Sequence, residues 1–117
     1  MLVTSIILNV LLAAVFLFSG GRKVVGGTAV TGEAAHLALP LTGYRAIGVA
    51  EVAAAVALLV GLVWAPLGIA AAAGLVLLMP GAVIAHVRAG DGPAAWAPAI
   101  VLTVVVAVAL VLGIATR

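Results

Sequence analysis

The sequence predicts an all-α membrane protein, a four-helix transmembrane bundle whose long first loop holds a short interfacial helix. Three observations carry this. First, 68% of the 117 residues are hydrophobic and 7% are charged, where a soluble domain of this size carries roughly 25% charged residues. Too few polar side chains exist to cover a water-facing surface, and so apolar a chain is not a disordered one. Second, four apolar runs follow one another, each close to the roughly 20 residues that a spanning helix needs. Third, glycine, proline and charge punctuate the gaps between them. The length suits one small domain.

The first run covers about residues 2–18. No Lys or Arg precedes it, and "FSGGRK" is a poor match to a small-x-small cleavage site, so a retained helix is expected rather than a signal peptide. "SGGRKVVGG" ends it with glycine and charge. The connection over residues 22–42 is too mixed to span. Within it, "TGEAAHLALPLTG" suits a short helix at the interface or folded back onto the bundle. Thr31 is its candidate cap, Glu33 favours its N-terminus, and Pro40 would end it.

The second span covers about residues 44–63. "WAPLG" then makes a turn, with Pro66 suited to the first turn of the third span, about residues 66–87. "RAGDGPAAW" closes that span, and Pro93 opens the fourth, about residues 94–115. Tyr44, Trp64 and Trp96 fall near the expected helix ends, where amphipathic rings meet the membrane interface. Small residues in "EVAAA" and "GIAAAAG" allow close helix approach.

Four spans put the first and third loops on one side. That side gathers Arg22, Lys23, Arg45 and Arg88, and the other holds Arg117. The positive-inside rule then places both loops in the cytoplasm and both termini outside the cell membrane. The net charge of +2 comes from few residues and makes no patch for nucleic acid. With no cysteine, disulfides, thiol relays and thiolate metal sites are excluded. His36 and His86 lack metal-ligand spacing. No phosphate loop, nucleophile elbow or other catalytic set is recognisable.

Glu51 is the outlier, a carboxyl inside the second span. An ionisable group there is costly and marks a candidate functional site. Counting from Tyr44, it lies about 10 Å into its helix. Arg45 is six residues away, hence about 120° around the helix, and does not face it; it can snorkel to the interface instead. A partner must come from another element. The candidates are His86, one turn below the same surface, Asn9 near the bilayer middle, and Arg22 or Lys23 from the loop. Glu51 is then either a hydrogen-bonded strut that sets helix register, or a proton- or ligand-linked group. In the third span, Pro80 frees the carbonyl of Val76, and Gly81 follows it. A kink is expected at Pro80–Gly81, about 12 Å from Arg88 and close to the Glu51 level. It either opens a small cavity or only improves packing.

Three stretches carry a resemblance to the DoxX-like family of small four-helix membrane proteins, and the resemblance covers nearly the whole chain. "FSGGRKVVG" resembles its small-Gly-x-x-Lys pattern, "RAIGVAEVAAAVALL" its Arg, Gly and Glu at the start of the second helix, and "LLMPGAVIAHVRAGD" the close of the third. The resemblance implies a four-helix bundle, related at superfamily level to the receptor-assembly chaperone NACHO. Lys23, Arg45, Gly48 and Glu51 match the family pattern, and His86 extends it. Some members are linked to sulfur or quinone redox chemistry within larger complexes, and others look like assembly factors. Lack of cysteine speaks against a thiol-based role.

The leading expectation is an accessory protein without catalytic activity. It would bind a partner membrane protein, or a small lipid-like molecule around Glu51. The alternative is a quinone-linked redox-associated subunit, with Glu51 and His86 exchanging protons. A third reading is a proton or ion pathway in a homo-oligomer, for which the outer half offers only Thr103 and the Asn9 region. Quinone or lipid are the ligands these readings name, beside the surrounding membrane lipid.

Overall fold

The computed structural model describes residues 2–115. It contains α1 (Leu2–Val25), α2 (Thr28–His36), α3 (Leu41–Val60), α4 (Ala65–Arg88) and α5 (Pro93–Ala115). The four long helices each have the length and apolarity to cross a membrane. They follow one another around a ring, α1 on α3, α3 on α4, α4 on α5, and α5 closes it against α1. The protein is a multi-pass membrane bundle.

Small and branched side chains from all four long helices meet at its centre. Phe16, Ala55, Leu58, Leu75 and Val106 are almost wholly enclosed. The outward faces keep their Val, Leu and Ile exposed, as at Leu77, Val101 and Val111. Lipid tails are as apolar as those side chains, so association rests on packing and buried polar contacts.

Several boundaries differ from the sequence expectation. α1 does not stop at Phe18. It runs through Ser19, both glycines, Arg22 and Lys23 to Val25. Low helix propensity at Gly20 is overridden by packing, because α3 lies directly against it. A Cβ built on Gly20 would stand 2.6 Å from the Gly48 carbonyl oxygen, and one on Gly48 would stand 2.5 Å from the Lys23 Cβ. Arg22 and Lys23 also suit the last turn, where the helix dipole favours cations. The chain then breaks at Gly26 (φ 80°) and Gly27 (φ 112°), a backbone region that glycine enters without steric cost.

The connection does hold a short helix, α2. Its cap is Gly27, not Thr31. Thr31 lies inside the helix and its hydroxyl donates back to the Gly27 carbonyl at 3.0 Å. Glu33 is outside the first turn, and α2 ends at His36, before Pro40. Pro40 instead precedes α3 as its N-cap residue. It has no N–H to leave unsatisfied there, and its fixed φ suits a helix entrance. α3 therefore begins at Leu41, three residues before the expected Tyr44. Further on, Pro66 sits in the first turn of α4 and Pro93 starts α5. Helical backbone continues across Pro80 and Gly81. Arg117 lies outside the described residues.

Candidate functional site

Glu51 faces α1 from the middle of α3, and its side chain is 2% exposed. Lys23 on α1 forms an ion pair with its Oε1. Ser19, one turn earlier on the same face of α1, donates its hydroxyl to Oε2 at 2.8 Å. Lys23 Nζ also donates to the Ser19 hydroxyl at 3.1 Å. The three side chains thus form a closed ring of hydrogen bonds, and both carboxylate oxygens are satisfied. Among the described residues, no buried side-chain nitrogen or oxygen lacks a partner. On its other side Lys23 Nζ stands 5.4 Å from the centre of the Tyr44 ring, within cation–π range.

The other sequence candidates have different partners. Asn9 does not reach Glu51. Its amide makes a long 3.4 Å contact to the Leu58 carbonyl, about 10 Å farther along α3 by helix rise. Arg45 donates to the Val24 carbonyl at 2.8 Å, satisfying one of the carbonyls that a helix C-terminus leaves open. His86 is not bonded to Glu51 either. Its Nδ1 is 2.7 Å from Asp91 Oδ2, while His36 Nε2 is 2.5 Å from Asp91 Oδ1. One carboxylate in the α4–α5 turn thereby bridges the end of α2 and the end of α4. Tyr44 is not an exposed interfacial ring. It is buried, and its hydroxyl donates to Glu33 at 2.9 Å. Arg22 meets the same carboxylate at 2.6 Å.

Ser19, Glu33, His36 and Asp91 are the polar partners that the sequence reading missed as site residues. Ser19 carried a signal: it stands one helical turn before a lysine, at the end of an apolar helix. Asp91 carried a partial one, His86 five residues before it, but its second partner His36 is remote in sequence.

A cavity of about 230 Å3 opens beside the ion pair, between α3, α4 and the chain that leaves α2. Ile47, Leu78, Met79, Leu37 and Leu39 give it apolar walls. Lys23, Glu51, Tyr44 and His86 supply its polar groups. Thus Glu51 and His86 border one space without touching. Gly81 also borders it, whereas Pro80 points away, into an open apolar groove between α4 and α5.

Outside the spans, two carboxyls hold α2 in place. Hydrogen bonds with His86 and then His36 keep the Asp91 carboxyl below its ordinary pKa. The Arg22 hydrogen bond, with help from Tyr44, does the same for Glu33 against partial desolvation. A depressed folded pKa means stabilisation that is complete above the unfolded pKa and lost as pH falls through the folded one. The anchoring of α2 should therefore hold from neutral pH to about pH 4 and fail only below, since free carboxyls titrate near there. Amide hydrogen exchange over residues 28–36, corrected for intrinsic rates, checks this. An α2 already released between neutral pH and that point would contradict it.

No curated protein and no solved structure matches the chain. A family model does match, and it runs over residues 7–114. That interval takes in the buried pair, the cavity and nearly all of the four spans. The chain therefore belongs to the DoxX-like family.

Proposed function

We propose that this protein is a membrane accessory protein without catalytic activity, and that it holds a small lipid-like molecule in the cavity beside Glu51. One observation carries the reading: an apolar cavity within a membrane bundle ends on a buried, fully bonded Lys23–Glu51 pair. Apolar walls with a few placed polar groups are the usual make-up of a small-molecule site. About 150 Å3 of apolar space accepts a benzene ring, so about 230 Å3 accepts a substituted ring or the end of a chain. The rest of a longer molecule would lie along the bundle.

A quinone-linked redox role is the second reading. It is favoured by Glu51 and His86 bordering the same cavity. Binding of a partner membrane protein is compatible with either.

The test is native mass spectrometry of protein extracted mildly from its own membranes. Ala82 borders the cavity, and Ala82→Phe takes up its space while leaving both residues of the ion pair in the sequence. The parent protein should carry a small-molecule adduct that the variant lacks. A quinone mass would select the second reading. No adduct on the parent, or the same adduct on both proteins, would sink the binding proposal.

A further inference from the structure

We infer that α2, with the residues that follow it to Leu39, is a hinged lid over the cavity, latched at its free end by Asp91. The inference rests on the cavity being the binding site and describes how that site is reached.

Leu37 and Leu39 form the outer wall of the cavity. They lie outside the core that the four spanning helices share. They belong to a small separate cluster with Val30, Ala34 and Tyr44. α2 itself has nine residues, too few for a helix to persist without external support. Its packing partner is α3. Whatever moves α2 therefore moves the wall.

Both ends of the segment bend in a way that suits a hinge. Gly26 and Gly27 precede α2 with positive φ, and Ala38 follows it at φ 57°. A non-glycine residue in that region is strained, because its Cβ crowds the following carbonyl. That strain falls between Leu37 and Leu39, the two wall residues.

The fastening is polar and sits opposite the glycine hinge. His36 closes α2, and Asp91 grips it while holding His86 on α4 with its second oxygen. His86, on α4, also lines the cavity. The bridge thus ties the end of the lid to a cavity-lining residue of the frame. Glu33, held by Arg22 and Tyr44, pins the lid nearer its hinge. Polar bonds at an exposed rim exchange with water at small net cost, so such a latch releases without unfolding the bundle.

The native chain has no cysteine, so a single introduced thiol reports access. Ala82→Cys places one on the cavity wall. The reagent is a permanently cationic methanethiosulfonate, which cannot approach through lipid, and its rate is measured at fixed neutral pH. Adding Asp91→Ala removes both latch bonds. It should speed modification at least about fivefold, the factor that one net hydrogen bond supplies. His36→Ala should act in the same direction, and His36→Gln, which keeps a donor, should stay closer to the parent. A second reporter, Ala72→Cys in the bundle core, should be unaffected. Equal rates for the Ala82→Cys reporter with and without Asp91, including no reaction in either, overturn the lid. So does an equal acceleration at both reporters, which would mean that the whole bundle had loosened. Because the assay uses no ligand, it separates from the adduct test. A latch-sensitive rate without any adduct keeps the lid and sinks the binding proposal, and an adduct with a latch-insensitive rate does the reverse.

Discussion

Lys23→Met is expected to lower stability by about 3–5 kcal/mol, the loss typical when one partner of a buried ion pair is removed. Glu51 is 2% exposed, so in the variant its charge stays away from water with only the Ser19 hydroxyl donating to it. Met keeps an unbranched apolar stem, one atom shorter than the lysine side chain, which keeps packing changes small. The double variant Lys23→Met/Glu51→Gln should regain most of the loss. Removing both charges of such a pair is often neutral, because the desolvation of both ions disappears together with their attraction. Thermal unfolding in one detergent, followed by circular dichroism, compares the parent with both variants. Coincident midpoints for parent and Lys23→Met would show that the pair contributes nothing. A double variant as weak as the single would show that lysine packing matters, not charge balance.

The second large effect is expected at the α1–α3 contact. Gly48→Ala puts a methyl group 2.5 Å from the Lys23 Cβ and 2.8 Å from the Gly20 carbonyl oxygen. Neither neighbour is the free end of a flexible side chain, so the helices themselves must separate. Overpacking of this kind costs about 1–3 kcal/mol. Separation would also draw Lys23 away from Glu51, because the crowded atom belongs to that lysine. Gly74→Ala in α4 is the contrast, since a Cβ there meets nothing within 4 Å. That change should instead stabilise by about 0.5–1 kcal/mol through helix propensity. The same chemical substitution thus has opposite signs at two glycines. Unfolding midpoints that move together for Gly48→Ala and Gly74→Ala would refute the close-contact account.

The number of spanning helices was legible in the sequence because hydropathy over a long window is a strong local signal. The end of α1 was not. "SGGRK" reads as punctuation, yet Gly20 continues the helix because α3 approaches it, and no local pattern reports an approach from a distant segment. At the site, the angular argument correctly set Arg45 aside, and Lys23 stood among the remaining partners of Glu51. Choosing between Lys23, His86 and Asn9 required levels along three helices. Each missed helix end shifts a level by about 1.5 Å per residue. α3 begins three residues early, enough to blur which candidate shared a level with Glu51. The Asp91 bridge depends on the end of α2 reaching the turn between α4 and α5. That arrangement is tertiary, and composition carries no trace of it.

Arg45 has a further consequence. By donating to the Val24 carbonyl, it ties the start of α3 to the end of α1. The two ends of the intervening chain are therefore held at a set separation by the bundle itself, whatever lies between them. Closure entropy grows slowly with loop length, by about 0.6 kcal/mol per doubling. Residues 26–40 thus form an interchangeable module. Their length and sequence can drift with little cost to the scaffold, so the cavity cover can be retuned while the buried pair beneath it stays the same.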